Sequence, residues 1–358
     1  MSPNGTVEIV DLSQSLEDSS MALSELKTAV LFNLYTTSNP EVEEELYLLD
    51  TSTLSTSHYN VSNPTRFVIH GWQSSKAEQV STSIRDGQQT DVPPYLAVGD
   101  YNIIVVDWST HAGSNYVTAR TKIVAIGEYV GLMIDFLEAM GSSVEDMIIV
   151  GHSLGAHISG MAGRSASNTV GAIVDESCKE KRLTGFKKTS LPISIRIYNI
   201  ISTKVDREFF KLFKSFASFL RMCMDPAGPL FYVTDTFARL KSTDANFVQV
   251  IHTAAGRLGY NGDLGDADYW PNGGWFQSGC GLDLFATCAH SRSYFYFAES
   301  IIRNDITYTS YACENYDEYE AEACQEPSSS IMGGSTLDLT ASGDFYLKTN
   351  SEAPFALS

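Results

Sequence analysis

No run of about 18 or more apolar residues occurs anywhere in this 358-residue chain, so no membrane-spanning helix is expected. Positive charge is scarce too: 24 Lys and Arg stand against 43 Asp and Glu, a formal net charge of −19. A field of that sign repels phosphate backbones, which excludes nucleic acid as the expected partner. The first thirty residues lack the basic start and apolar stretch of a signal peptide, so either the stated start is truncated or the protein is not exported by that route. There are six cysteines, none at CxxC or His-linked spacing, so neither a metal site nor a metal cofactor is expected. No internal repeat or low-complexity tract is visible.

What is present is enough apolar material, 43% of residues, to bury one large core. Three short β-branched runs, Arg66–His70, Asn102–Val106 and Met147–Val150, each end at Gly or Asp. Such runs suit strands buried on both faces of a parallel sheet. Between the second and third, Val124, Ile126, Val130, Leu132, Ile134 and Leu137 recur at roughly helical spacing within 117–139. Strands alternating with long helices predict a doubly wound, mostly parallel α/β sheet.

Cys280, Cys288, Cys313 and Cys324 fall late in the chain as two close pairs. The expected disulfides are Cys280–Cys288 and Cys313–Cys324, each contributing about 2.5–3 kcal/mol by loop closure, and they argue for export. Asn60-Val61-Ser62 and Asn4-Gly5-Thr6 are glycosylation acceptors on that reading. Residues 1–27 read as a loose acidic tail. Residues 175–222 carry a net charge of +6 against −25 for the remainder. They interrupt a main domain at 28–356.

Gly151-His152-Ser153-Leu154-Gly155 matches G-x-S-x-G directly after a strand and directly before a helix-like run. That context presents a serine on a sharp turn at a helix N-terminus, where negative charge is favoured. The hydroxyl needs a base, and the base needs a carboxylate to hold its tautomer. With the order Ser, acid, His, the choices after Ser153 are His157, His252 and His290. His157 sits too close along the helix, and His252 reads as a strand-terminal structural histidine. His290 is favoured. Asp225, in a proline-stiffened turn, is the preferred acid, whereas Asp107 reads as structural, with His70 and His152 as packing or loop-shaping residues. The backbone N–H groups of Leu154 and Trp72 are the candidate oxyanion donors.

The blocks Arg66–Trp72, Val105–Ser109, Gly151–Gly160, Asp225–Pro229, Asp268–Gly274, Cys288–Arg292 and Phe345–Asn350 resemble the successive signatures of the pancreatic-lipase and phospholipase A1 family, in its insect flavour. The resemblance implies an α/β-hydrolase fold, a triad of Ser153, Asp225 and His290, and an oxyanion hole of Trp72 and Leu154. It also implies no cofactor, a secreted protein, and a phospholipid or acylglycerol substrate at a lipid–water interface. The family's C-terminal β-sandwich has no sequence left to occupy here. The loop Gly281–Thr287 corresponds to the family's lid; its shortness resembles phospholipases A1 more than triacylglycerol lipases. A catalytically inactive lipid-binding or yolk-storage relative is the alternative.

By the same resemblance a strand at Val170–Val174 runs almost straight into the Asp225 turn, and 175–222 divides the two. The segment is either a membrane-contacting helix, with Phe209, Phe210, Phe213, Phe216 and Leu220 broadly on one face, or an intron translated in frame. The abrupt charge shift favours the intron.

Overall fold

The computed structural model describes residues 20–85, 94–171, 220–232, 237–302, 307–324 and 328–357. Eleven described strands form one sheet: β1 Leu31–Tyr35, β2 Glu44–Leu46, β3 Thr65–Ile69, β4 Asn102–Asp107, β5 Met147–His152, β6 Leu220–Met224, β7 Phe247–Ile251, β8 Ala267–Pro271, β9 Thr309–Ala312, β10 Ser329–Ile331 and β11 Gly343–Leu347. Their order is β10-β9-β11-β8-β7-β6-β5-β3-β4-β1-β2. Strands from β4 through β3, β5, β6, β7 and β8 to β11 run parallel. Antiparallel pairs close both edges.

The central strands show why β-branched runs were the visible signal. Ile104 and Val106 of β4 pack into one core, Ile103 and Val105 into the other; Phe67 and Ile69 of β3 oppose Val68 in the same way. Both faces are covered, so the middle of these strands is apolar on either side, and the buried polar residues Thr65, Arg66, Asn102 and Asp107 fall at their ends. Helices Tyr116–Ala139 and Leu154–Gly171 cover one face, and Thr287–Ile302 packs on the other. No helix among the described residues is long and apolar enough to cross a membrane.

Three expectations need correction. The tail boundary at residue 27 falls inside a helix, Leu23–Ala29, whose Leu26 is wholly buried and whose neighbour Met21 also enters the core. Acidic composition concealed two anchoring side chains. The strand expected at 170–174 does not begin where predicted: Val170 and Gly171 end the helix Leu154–Gly171, and 172–174 lie outside the described residues. The strand that delivers Asp225 is β6, so the basic stretch 175–222 overreaches by Leu220, Arg221 and Met222. Arg221 adds to the local positive charge yet is fully buried, where its guanidinium donates to the Asp244 carbonyl at 3.1 Å and burial pulls its pKa down to about 10. Charge counts cannot see such pairing. The rest of 175–222 lies outside the described residues, as do residues 1–19 of the tail.

Candidate active site

β5 ends at His152, and the helix Leu154–Gly171 starts one residue later, so Ser153 alone makes the turn. It does so at φ 57°, in the left-handed region that costs a non-glycine residue of order 1 kcal/mol or more. The flanking glycines permit it. A Cβ on Gly151 would lie 2.4 Å from the Gly155 carbonyl oxygen, and one on Gly155 would lie 2.3 Å from that of Ile69. Two backbone hydrogen bonds fix the turn: Ser153 N–H donates to the Met224 carbonyl at 3.1 Å, and the Ala227 N–H donates to the Ser153 carbonyl at 3.2 Å. Asp225 lies between those two partners, so the serine turn and the acid turn hold each other.

Asp225 is wholly buried, with φ 42°. Its Oδ1 accepts the N–H groups of Thr253 at 2.8 Å and Ala254 at 3.0 Å, from the loop after β7. Its Oδ2 lies 2.5 Å from His290 Nδ1. With one oxygen saturated by amides, the other faces the imidazole, which sets the His290 tautomer with Nδ1 protonated. His290 rides the first turn of helix Thr287–Ile302 and keeps 13% of its side chain exposed. Neither the Ser153 hydroxyl nor His290 Nε2 makes a hydrogen bond to a described residue.

The other histidines are engaged elsewhere. His252 Nε2 is 2.7 Å from Asp268 Oδ1, and its ring stacks 3.8 Å from Trp270, all buried. His157 donates from Nε2 to the Ala227 carbonyl at 2.9 Å and accepts the Leu240 N–H at Nδ1; burial pushes its pKa down to about 3. His152 lies against His290, rings 4.4 Å apart, and edge-on to Tyr294. Burial first, and the neighbouring His290 second, hold it neutral, well below the usual range. It therefore adds bulk but no positive charge beside His290.

The loop 70–73 covers the serine from the other side. A Cβ on Gly71 would sit 2.7 Å from Ser153 Cβ, so only glycine allows this approach. His70, wholly buried, places Nδ1 2.9 Å from the Gly71 carbonyl, and its own carbonyl accepts Trp108 Nε1 at 2.8 Å. Asp107, 3.3 Å from His70 Nε2, would be raised by burial. The hydrogen bond to His70, that ring's charge and the Ser109 N–H outweigh burial and hold it at about 2. The Trp72 side chain is pinned by Nε1 to the Ser114 carbonyl at 2.8 Å and edge-on to Tyr116. Neither the Trp72 nor the Leu154 backbone N–H donates to a backbone acceptor among the described residues.

Among the described residues two disulfides form, Cys280–Cys288 and Cys313–Cys324, and Cys223 is free and buried. Cys178 lies outside the described residues. The loop inside Cys280–Cys288 exposes Leu282 and Leu284 at 87% and 69%, and Phe285, Trp275 and Phe276 are exposed as well. Sequence reasoning did not find the amide donors Thr253 and Ala254, nor Ala227. Backbone groups carry no residue-type signal; only the short runs after β6 and β7 could have pointed to them.

A mostly parallel sheet whose strand β5 turns through a left-handed serine into a helix is the architecture of the α/β-hydrolase class. Within it, a family model described as "Lipase" matches residues 7–182 and 221–355, and the chain belongs to that family. It is similar to pancreatic triacylglycerol lipase from Homo sapiens, 29% identical over 91% of this chain and 64% of that one. Lipase member H from Oryctolagus cuniculus is 31% identical, covering 74% of this chain and 48% of its own length. The inactive pancreatic lipase-related protein 1 of Mus musculus is 30% identical over 82% and 55% respectively. The chain thus spans about half to two-thirds of these relatives' length.

Proposed function

We propose that the protein is a secreted serine esterase that cleaves lipid carboxylic esters through an acyl-enzyme. The observation that carries this reading is the contact of 2.5 Å between His290 Nδ1 and Asp225 Oδ2, with the Asp225 turn bonded to the Ser153 turn and the His290 ring against that of His152. Ser153 attacks the acyl carbon, His290 Nε2 takes the hydroxyl proton and returns it to the leaving alcohol, and Asp225 stabilises the imidazolium. The Trp72 and Leu154 N–H groups receive the oxyanion. Water then hydrolyses the acyl-Ser153 ester by the same proton path. Without substrate, the Ser153 hydroxyl need not yet reach His290, since such bonds tighten on binding.

The substrate class follows from the short lid. Seven residues between Cys280 and Cys288 cannot fully cover an apolar cleft, which favours phospholipids cleaved at sn-1 over neutral acylglycerols. The acceptor Asn60 is exposed, consistent with glycosylation on the export route. The two disulfides fit an oxidising compartment.

A second reading, an inactive lipid-binding relative, is favoured by the unengaged Ser153 hydroxyl and by the likeness to a protein named as inactive. Labelling with a fluorophosphonate separates the two. The parent should label and hydrolyse phosphatidylcholine faster than triolein, and Ser153→Ala should do neither, with a loss of about 10⁶ in turnover. An unlabelled, folded parent establishes the inactive reading. Strong preference for triolein with interfacial activation removes the phospholipid assignment.

A further inference from the structure

Two loops meet beside Asp225 and His290. The loop after β7 supplies the Thr253 and Ala254 N–H groups that hold Asp225 Oδ1. It then turns back on itself, with the N–H groups of Arg257 and Gly259 both donating to the Ala254 carbonyl. The loop inside Cys280–Cys288 leads into the helix that carries His290. There the Asp283 carboxylate accepts the Ala289 N–H at 2.8 Å, capping the first turn, and the His290 N–H donates to the Ala286 carbonyl at 2.9 Å.

Between the loops stands Arg257. It is half-buried, and its guanidinium donates to the Asp283 carbonyl oxygen, the same oxygen that accepts the Ala286 N–H. Its Cζ lies 4.8 Å over the Phe276 ring. Ala254 of the first loop, Ala286 of the second and Ala289 of the helix form a buried apolar cluster with Leu258 against it. Three small side chains give little area, about 25 cal/mol per Å² of what they cover, so the polar link fixes the relative position of the loops more than the packing does.

We propose that Arg257 is a positioning residue: through Asp283 it couples the loop that orients Asp225 to the turn that presents His290. The proposal deepens the reading of Ser153, Asp225 and His290 as a triad and rests on it for its kinetic consequence. Loss of the link lets the two loops shift independently, and a displacement of order 1 Å at a proton-transferring group costs about 100-fold in rate. The contacts of the Arg257 guanidinium are with Asp283 and Phe276 and not with Ser153, Asp225 or His290, so the expected loss falls on kcat rather than on KM.

The test uses the full chain with Arg257→Met, which keeps the apolar stem over Phe276 but removes the donor, and Arg257→Lys, which restores one. The first readout is the downfield proton resonance of His290 Nδ1 bonded to Asp225, which needs no turnover and is therefore separate from whether Ser153 is active. It should weaken or exchange away in Arg257→Met and persist in Arg257→Lys. On a soluble short-chain ester, kcat should fall about 10- to 100-fold in Arg257→Met with KM within about twofold, and Arg257→Lys should recover most of it. If Arg257→Met does not fold, Arg257→Leu, which likewise lacks a donor, is read in its place and should show both effects, while Asp283→Ala, which keeps the carbonyl that Arg257 reaches and removes only the carboxylate on the Ala289 N–H, measures the cap alone. When Arg257→Met and Asp283→Ala are combined the losses should not multiply, since both act on one turn. A resonance and kcat both unchanged in Arg257→Met, multiplicative losses, or a rise in KM with kcat unchanged would each overturn the proposal.

Discussion

At the residue scale, the Ser153 turn depends on close backbone approaches that no larger side chain permits, and its neighbours are histidines kept out of the protonation chemistry. His157 and His152 are both pushed down by burial, so they remain neutral across the range in which His290 would act. Asp107 is the acid most clearly tied to stability. Its folded pKa, about 2, lies below its ordinary 3.8. A depressed acid contributes stability that is present above the unfolded value and is lost as pH falls through the folded one. Asp107→Asn should therefore lower the thermal midpoint at pH 7, with the gap to the parent closing between about pH 4 and pH 2. Melting curves read across that range check it, and a gap that stays constant would remove Asp107 from the account. The sequence marked Asp107 as structural from its place before Ser153, but its partner His70 became visible only when β3 and β4 paired.

At the element scale, each strand and helix end does a separate task. β5 delivers Ser153, β6 delivers Asp225, the loop after β7 supplies the amides that hold Asp225, and the helix Thr287–Ile302 starts with His290 in its first turn. The two disulfides sit differently in this scheme: Cys280–Cys288 ties the loop 281–287 to the start of that helix, whereas Cys313–Cys324 spans the short helix Tyr316–Glu320 at the sheet edge. Loop closure values them alike, at about 2.5–3 kcal/mol each. Replacing either pair with serine should thus cost similar stability in denaturant titrations. Only the Cys280→Ser, Cys288→Ser variant should also lose kcat on a soluble ester. Equal kinetic losses from both pairs would mean that Cys280–Cys288 does not act through His290. Boundaries were the less legible part of the elements. Buried β-branched runs announced β3, β4 and β5, but β6 has no β-branched residue and follows a basic stretch, so nothing in Leu220–Met224 reads as a core strand.

At the scale of the whole molecule, the acidic chain carries one discordant stretch, and the family match leaves out residues 183–220. Removing 175–222 entire would strip residues from β6, which pairs with β5 and β7 through Arg221 and Met222. Deleting 183–219 instead keeps the strand. Soluble yield should rise and ester turnover should hold or increase, read by gel filtration and initial rates. Loss of turnover or of liposome binding, with the segment present in every transcript, would favour the membrane-contacting reading. Local pattern was enough to bring out the class of sheet, the serine turn and the two cysteine pairs, because strand period, glycine spacing and short loops leave their mark within a few neighbouring residues. The sequence already favoured His290 over His252 as the partner of Asp225; the tertiary structure alone decided which oxygen of Asp225 meets its ring, that β6 feeds the acid turn, and that Arg257 reaches Asp283. Those contacts join residues about 26 to 65 positions apart, partly through backbone amides and carbonyls identical at every position, and their meeting depends on how the sheet stacks its loops at one end.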